Sequence, residues 1–218
     1  MVWGFFHEIG RKIIHITILI VLAAYFFIQR NLISAGKSAV LAKQLALLFL
    51  VALLIIFLIL EYFRLELNWK MPFFSQFIRP KEQNRMYGVI YFLSATIISL
   101  AVFDYKIALA ALLMTTFGDM VAALVGKRYG TTLIYRNKTW AGFLGELVTN
   151  LIVGFIIIGG FFNDLFGLSN PYIPGKIYII IGMAFVATIV ETLVDELDDN
   201  LLIPIFSGFV GQIIFFSL

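Results

Sequence analysis

Acidic residues interrupt an apolar stretch near the C-terminal end of the sequence. Glu191 lies inside an apolar run and is followed by Asp195, Asp198, Asp199 and Asn200. If the helix continues, the spacing i, i+4, i+7, i+8 puts all four carboxylates on one face. Carboxylates this close would repel one another, so we expect a cation there. Mg²⁺ is the natural choice because it accepts carboxylate oxygen and bridges to substrate phosphates.

Two interpretations of this acidic segment remain open. Asp198 and Asp199 fit a solvated acidic loop as well as they fit a metal site. Glu191 does not, because an ionisable group inside an apolar span is costly and is by default a functional hypothesis.

Asp119 is a second acid within an apolar run, Thr115–Met120. Gly118 beside it permits close backbone approach by a ligand or a neighbouring helix. A structural hydrogen bond between helices is the alternative, but the intramembrane position favours function.

A basic, glycine-containing segment lies between two apolar runs. Glycine lets backbone amides approach phosphate oxygens, while lysine and arginine supply charged donors. The residues that we expect to bind phosphate are Gly126, Lys127, Arg128, Lys138, Thr139 and Gly142. Such loops also enforce membrane topology, which is the alternative interpretation of their charge.

The N-terminal segment carries a fourth polar group of residues. Glu8, Arg11, Lys12 and His15 share one face at helical spacing. Arg11 and Lys12 alone would be a topological anchor, and His15 alone would be an interhelical donor.

Apolar helices must position these residues. Of the 218 residues 61% are hydrophobic and only 13% charged, and the apolar residues fall into runs long enough to cross a bilayer. We predict an all-α bundle in a single transmembrane domain, residues 1–218. Its seven spans are 13–29, 45–62, 87–103, 107–125, 142–160, 177–194 and 200–217. The chain has no cysteine, which excludes thiolate chemistry, and its net charge of +3 gives no reason to expect nucleic acid as a partner.

The distribution of positive charge predicts the orientation. Eleven lysines and arginines fall in the N-terminus and in segments 62–86 and 126–141, against five on the other side. The positive-inside rule places the first set in the cytoplasm and the C-terminus outside. The four polar groups then share the cytoplasmic rim. Acids for a metal and bases for phosphates predict a nucleotide site there, with a membrane lipid as second substrate.

Five motifs in sequence resemble the CTP-dependent polyprenol kinases, a family that includes dolichol, phytol and farnesol kinases and CTP-dependent diacylglycerol kinase. They are Glu8-x-x-Arg11-Lys12-x-x-His15, Arg85-x-x-Gly88-x-x-Tyr91-Phe92, Gly118-Asp119-x-x-Ala122-x-x-x-Gly126, Asn137-Lys138-Thr139-x-x-Gly142, and Glu191-x(6)-Asp198-Asp199-Asn200-x-x-x-Pro204. The resemblance implies transfer of the γ-phosphate of CTP to a membrane alcohol: a polyprenol or dolichol, phytol or diacylglycerol.

The resemblance also implies roles for individual residues. Asp119 would hold Mg²⁺ or orient the nucleophile, and the segment from Glu191 to Asn200, including Asp195, would add metal ligands. Lys127, Arg128, Lys138 and Thr139 would hold the triphosphate, with Gly126 and Gly142 lining it. Arg11 and Lys12 would close over it, and Lys12 and His15 join Asp119 and Glu191 as expected catalytic residues.

Other functions compete with a lipid kinase. A CDP-lipid synthase of the phosphatidate cytidylyltransferase type uses the same nucleotide and a similar Asp-Gly and Lys-Thr pattern. However, that family ends in a Lys-Asp segment followed by His-Gly-Gly, and this chain has no histidine after His15. An ion-coupled transporter would place its acids near the midplane and often shows internal repeats, neither of which we find. A purely structural subunit leaves Asp119 and Glu191 unexplained.

Overall fold

The computed structural model describes residues 5–67, 86–160, 175–194 and 198–218, with side chains from residue 19 onward. These residues form seven helices and one short two-stranded ribbon. The elements are α1 (Phe5–Ser34), α2 (Ala39–Glu66), α3 (Gly88–Val102), α4 (Tyr105–Tyr129), β1 (Leu133–Tyr135), β2 (Lys138–Thr139), α5 (Trp140–Ile157), α6 (Lys176–Leu193) and α7 (Asp199–Ser217).

Each of the seven predicted spans coincides with a helix, and the all-α prediction is confirmed. Five of them, α2, α4, α5, α6 and α7, are long and apolar enough to cross a membrane. Two apolar stretches are shorter: Leu19–Ser34, which is the part of α1 with described side chains, and the whole of α3. An integral membrane protein is therefore supported, while the count of seven spans and the orientation stay predictions. The prediction of a single domain also stays open, because the chain divides into two compact units, residues 1–97 and 98–218.

In the first unit, α1 packs against α2. Ala42, Ala46 and Leu50 are fully buried at i, i+4, i+8, so they form one stripe along α2. The small side chains in this stripe allow two helices to approach closely, as is usual within membranes. Tyr25 of α1 is buried in the same unit.

A buried polar cluster joins the end of α2 to the start of α3. The guanidinium of Arg64 donates to both carboxylate oxygens of Glu61, at 2.6 and 2.8 Å. The backbone N–H of Tyr87 donates to Glu61 at 3.0 Å, and the guanidinium lies 4.1 Å from the centre of the Tyr87 ring. Paired in this way, two charged groups are accommodated within an otherwise apolar helix.

In the second unit, α4 is the central helix and packs against α5, α6 and α7. Of its most apolar stretch 67% is buried, more than in any other candidate span. Small residues make this possible, since Ala108, Ala110 and Ala111 are fully buried. Large apolar side chains on the outer helices, such as Phe155, Phe185 and Phe209, are half exposed, as expected where helices meet lipid.

The basic segment after α4, which the sequence predicts to be a loop, folds into the antiparallel ribbon β1–β2. Leu133 pairs with Thr139 and Tyr135 with Lys138. Arg136 in the turn adopts a φ of +47°. The ribbon returns the chain directly to α5, whose N-cap is Thr139.

The condition for a single acidic face, a helix that continues from Glu191 through Asp199, is not met. Helix α6 ends at Leu193, Val194 is extended, and a new helix begins at Asp199. The carboxylate of Asp198 accepts from the backbone N–H of Asn200 at 3.0 Å, so this residue starts α7 as its N-cap. Glu191 and Asp199 therefore belong to two helices, and Asp195 lies outside the described residues.

Candidate active site

The centre of the candidate site is an ion pair between Lys138 of the ribbon and Glu191 of α6. The Lys138 ammonium donates directly to the Glu191 carboxylate. Glu191 is almost fully buried, whereas the Lys138 side chain is 36% exposed. The lysine therefore links the surface to a buried carboxylate 53 residues away in the sequence.

Three further carboxylates interact with this pair. Asp119 of α4 and Asp199 of α7 act electrostatically on both Lys138 and Glu191. Glu146 of α5 interacts with Asp119, Glu191 and Lys138. We call Asp119, Glu146, Glu191 and Asp199 the acidic cluster. Four helices each contribute one of its members.

The charges of this cluster keep Lys138 protonated. Burial of the ammonium acts to lower its pKa, but the opposing effects of Glu191, Asp119 and Asp199 are larger together. The pKa of Lys138 is therefore raised above its ordinary value of 10.5. The lysine carries a full positive charge at any physiological pH.

Glu146 is the residue that sequence reasoning missed. Its side chain is fully buried, and its Oε2 atom has no hydrogen-bond partner. The rule that identified Glu191, an ionisable side chain within an apolar span, applies equally to Glu146 and would have found it.

A neutral polar layer lies one helical turn further along α5. Asn150 donates to Glu146 Oε1 at 3.4 Å and to the Thr188 hydroxyl at 3.1 Å. Gly118 faces this amide, and a Cβ at position 118 would overlap the Asn150 side chain. The close approach predicted for Gly118 is thus made by a neighbouring helix, α5.

Several residues expected to bind phosphate lie at the contact between α4 and α5. The Thr139 hydroxyl accepts from the Gly142 N–H at 3.2 Å and so caps α5. A Cβ on Gly142 would lie 2.9 Å from the Ala122 carbonyl oxygen, and one on Gly126 would lie 3.1 Å from the Thr139 hydroxyl. Lys127 and Arg128 are exposed in the last turn of α4, at the same end as the ribbon. The structure thus brings together Gly126, Thr139 and Gly142 beside Lys138.

The remaining predicted residues are less directly tied to the cluster. Asn200 is buried and its side chain donates to Asp198 at 2.7 Å, so these two residues cap α7. Arg11, Lys12 and His15 lie in α1, but their side chains are outside the described part of the chain. Among the described residues, no three acidic or histidine side chains are close enough to hold a metal ion by themselves.

Comparison with known proteins identifies the class of this chain. It is 31% identical over 156 residues to CTP-dependent diacylglycerol kinase 1 of Schizosaccharomyces pombe, covering 66% of this chain and 70% of that protein. It is 29% identical over 181 residues to CTP-dependent diacylglycerol kinase 1 of Saccharomyces cerevisiae, covering 78% of this chain and 56% of that protein. Phytol kinase 1 of Arabidopsis thaliana is 27% identical over 125 residues, which are 54% of this chain and 40% of that kinase.

No family model and no solved structure matches the chain. The relatives nevertheless decide its class, because the match to the fission-yeast kinase covers more than two thirds of that protein at 31% identity. The chain belongs to the family of CTP-dependent lipid kinases, as its motifs predicted.

Proposed function

We propose that this protein transfers the γ-phosphate of CTP to the hydroxyl of a membrane lipid alcohol, with diacylglycerol or an isoprenoid alcohol such as phytol or a polyprenol as acceptor. The observation that carries the proposal is the acidic cluster with Lys138 at its centre. It supplies a positive group for phosphate oxygens and carboxylates for a metal and for the acceptor hydroxyl. The names of the relatives support CTP as donor.

The arrangement suits phosphoryl transfer, which requires alignment and charge neutralisation more than covalent chemistry from the protein. The lipid oxygen forms a bond to the γ-phosphorus, the bond from that phosphorus to the bridging oxygen breaks, and CDP leaves with the electron pair. Asp119 orients the lipid hydroxyl and accepts its proton. Lys138 changes partner from Glu191 to the triphosphate.

A divalent metal fits this set of donors in one way. Mg²⁺ is commonly bound by one or two carboxylates together with substrate phosphates, so a site without three converging acids is no obstacle. Asp199 would hold it, with Glu191 as a second carboxylate once Lys138 has moved to the triphosphate, while Asp119 serves the lipid hydroxyl. When bound, the metal would neutralise negative charge on the phosphate oxygens.

Donor and acceptor are tested with label in CTP. Purified protein with Mg²⁺ is given γ-labelled CTP and diacylglycerol, phytol or a polyprenol in separate reactions. We expect label in at least one lipid. Asp119→Asn should reduce the rate by at least about a hundredfold, as is usual for loss of a proton acceptor. The exposed Glu66→Gln is the matched control and should leave the rate unchanged.

The same assay discriminates the alternatives. Label from the α-position of CTP appearing in the lipid would favour the cytidylyltransferase. Failure to label any of the three lipids from either position would contradict an enzyme of this class.

A further inference from the structure

A lysine at the start of α4 is buried within the protein. Lys106 is only 4% exposed, and its Nζ atom has no hydrogen-bond partner. It lies 13 residues before Asp119, which corresponds to about 20 Å along a helix. Asp104 acts on this ammonium electrostatically without a hydrogen bond to it, so the position calls for an anion in direct contact.

The acid beside Lys106 has other roles. Asp104 is the N-cap of α4, and its carboxylate accepts from the backbone N–H of Lys106 at 3.1 Å. The backbone N–H of Asp104 in turn donates to Gln212 of α7 at 2.6 Å. These bonds hold Asp104 at the helix end, where its side chain is exposed while the Lys106 side chain is buried.

A second positive group reinforces the first. Lys176, the first residue of α6, interacts electrostatically with Lys106. Its ammonium donates to the backbone carbonyl of Gly159 at 3.4 Å. The N-cap of α6 is Gly175, which has no side chain to accept from the first amides of the helix. An uncapped helix N-terminus carries partial positive charge and attracts anions.

We propose that Lys106 and Lys176 bind a phosphate group of an anionic lipid at the end of residues 98–218 opposite the acidic cluster. A lipid is the source because apolar side chains are exposed at this end: Val102, Tyr178 and Leu218 are each more than half exposed. The lipid tails cover these side chains, the phosphate contacts the Lys176 ammonium, and the Lys106 side chain turns its covered ammonium towards the same phosphate. This site is independent of the kinase reaction.

The test measures binding in detergent with the full chain and without CTP. Thermal unfolding is followed with phosphatidylglycerol, with phosphatidylcholine of the same acyl chains, or with inorganic phosphate. We expect phosphatidylglycerol to raise Tm by about 5 °C at saturation and phosphatidylcholine to have a smaller effect. Lys106→Gln should abolish the difference between the two lipids. Lys106→Arg should preserve it, and Lys37→Gln, at an exposed lysine, should match the unsubstituted protein.

Native mass spectrometry provides a second measurement, because it counts the phosphatidylglycerol molecules that remain bound. One fewer molecule on Lys106→Gln than on Lys106→Arg would support the site even if the two variants differ in stability. Equal retention by both variants would overturn the proposal. Stabilisation by inorganic phosphate alone, dependent on Lys106, would overturn the lipid as the source of the anion.

Discussion

Glu191 and Glu146 are both acidic residues buried in apolar helices, but of these two Glu191 alone forms an ion pair. Lys138 neutralises Glu191, whereas one oxygen of Glu146 has no hydrogen-bond partner. Holding such a group next to Asp119 and Glu191 opposes folding, since like charges repel and burial removes water. Groups retained against such a cost are typical of functional sites.

Replacing Glu146 should therefore separate stability from activity. Glu146→Gln keeps the shape and removes the ionisable carboxyl group, so we expect Tm to rise by a few degrees and the kinase rate to fall about tenfold or more. Thermal unfolding and the CTP assay measure the two effects. Glu66→Gln, at an exposed acid, should change neither. An unchanged rate in Glu146→Gln would mean that its carboxyl group has no part in the reaction.

The Lys138–Glu191 pair should be insensitive to pH over a wide range. Because the folded state raises the pKa of Lys138, its contribution to stability is present below its ordinary pKa of 10.5 and is lost as pH rises through the higher folded value. We expect the Tm difference between the unsubstituted protein and Lys138→Gln to be constant from about pH 6 to about pH 9 and to shrink above about pH 10.5.

A double-mutant cycle identifies the pair as the cause of that difference. Lys138→Gln and Glu191→Gln should each lower Tm, and the double variant should lose less than the sum of the two. Additive losses would show that the two side chains are not coupled in solution.

At the scale of elements, the crossing of α4 and α5 positions most of the site. Gly126 and Gly142 face each other across this crossing. Thr139, at the end of the ribbon, lies beside both glycines and accepts a hydrogen bond from the Gly142 N–H. Asp119 and Glu146 lie on these two helices. Their separation is therefore set by how closely the two backbones approach.

Replacing each of two glycines of α5 by alanine should separate the effect of the close α4–α5 contact from the effect of helix propensity. A Cβ at Gly142 meets backbone, the Ala122 carbonyl at 2.9 Å, while one at Gly145 meets the Val125 side chain at 3.3 Å. Gly142→Ala should destabilise by about 1–3 kcal/mol and reduce activity, since α4 and α5 must separate. Gly145→Ala should cost less, because both substitutions gain about 1 kcal/mol in helix propensity but at Gly145 only a side chain has to shift. Thermal unfolding of both variants checks this, and equal losses would contradict it.

At the scale of the whole molecule, the open question is how many helices cross the bilayer. The described part of α1, Leu19–Ser34, and the whole of α3 have shorter apolar stretches than the other five helices. If all seven cross, α2, α3 and α4 separate Lys37 from Asn137 and place them on opposite sides. If α3 does not cross, the two residues share a side.

Single cysteines can decide the topology because the chain has none of its own. In intact cells, an impermeant maleimide should label Lys37→Cys directly and Asn137→Cys only after permeabilisation. Both positions are exposed. Labelling of both from the same side would exclude seven spans with the predicted orientation.

Sequence alone sufficed for the class of fold and for the family of the protein. Apolar runs of bilayer length favour helices, because a helix satisfies its own backbone hydrogen bonds, and acids within such runs are costly. Asp119 and Glu191 were predicted as site residues for this reason, and Lys138 was predicted from the basic, glycine-containing segment. The same cost argument would also have reached Glu146.

Tertiary structure decided which of these residues meet and where the helices end. The break between α6 and α7 depends on Asp198 serving as a helix cap. The sequence does not reveal this break, because the spacing between Glu191 and Asp198 is equally compatible with a continuous helix. The pairing of Lys138 with Glu191 joins residues 53 positions apart through a two-stranded ribbon. Local periodicity carries no information about such contacts, because they depend on how α4, α5, α6 and α7 pack together.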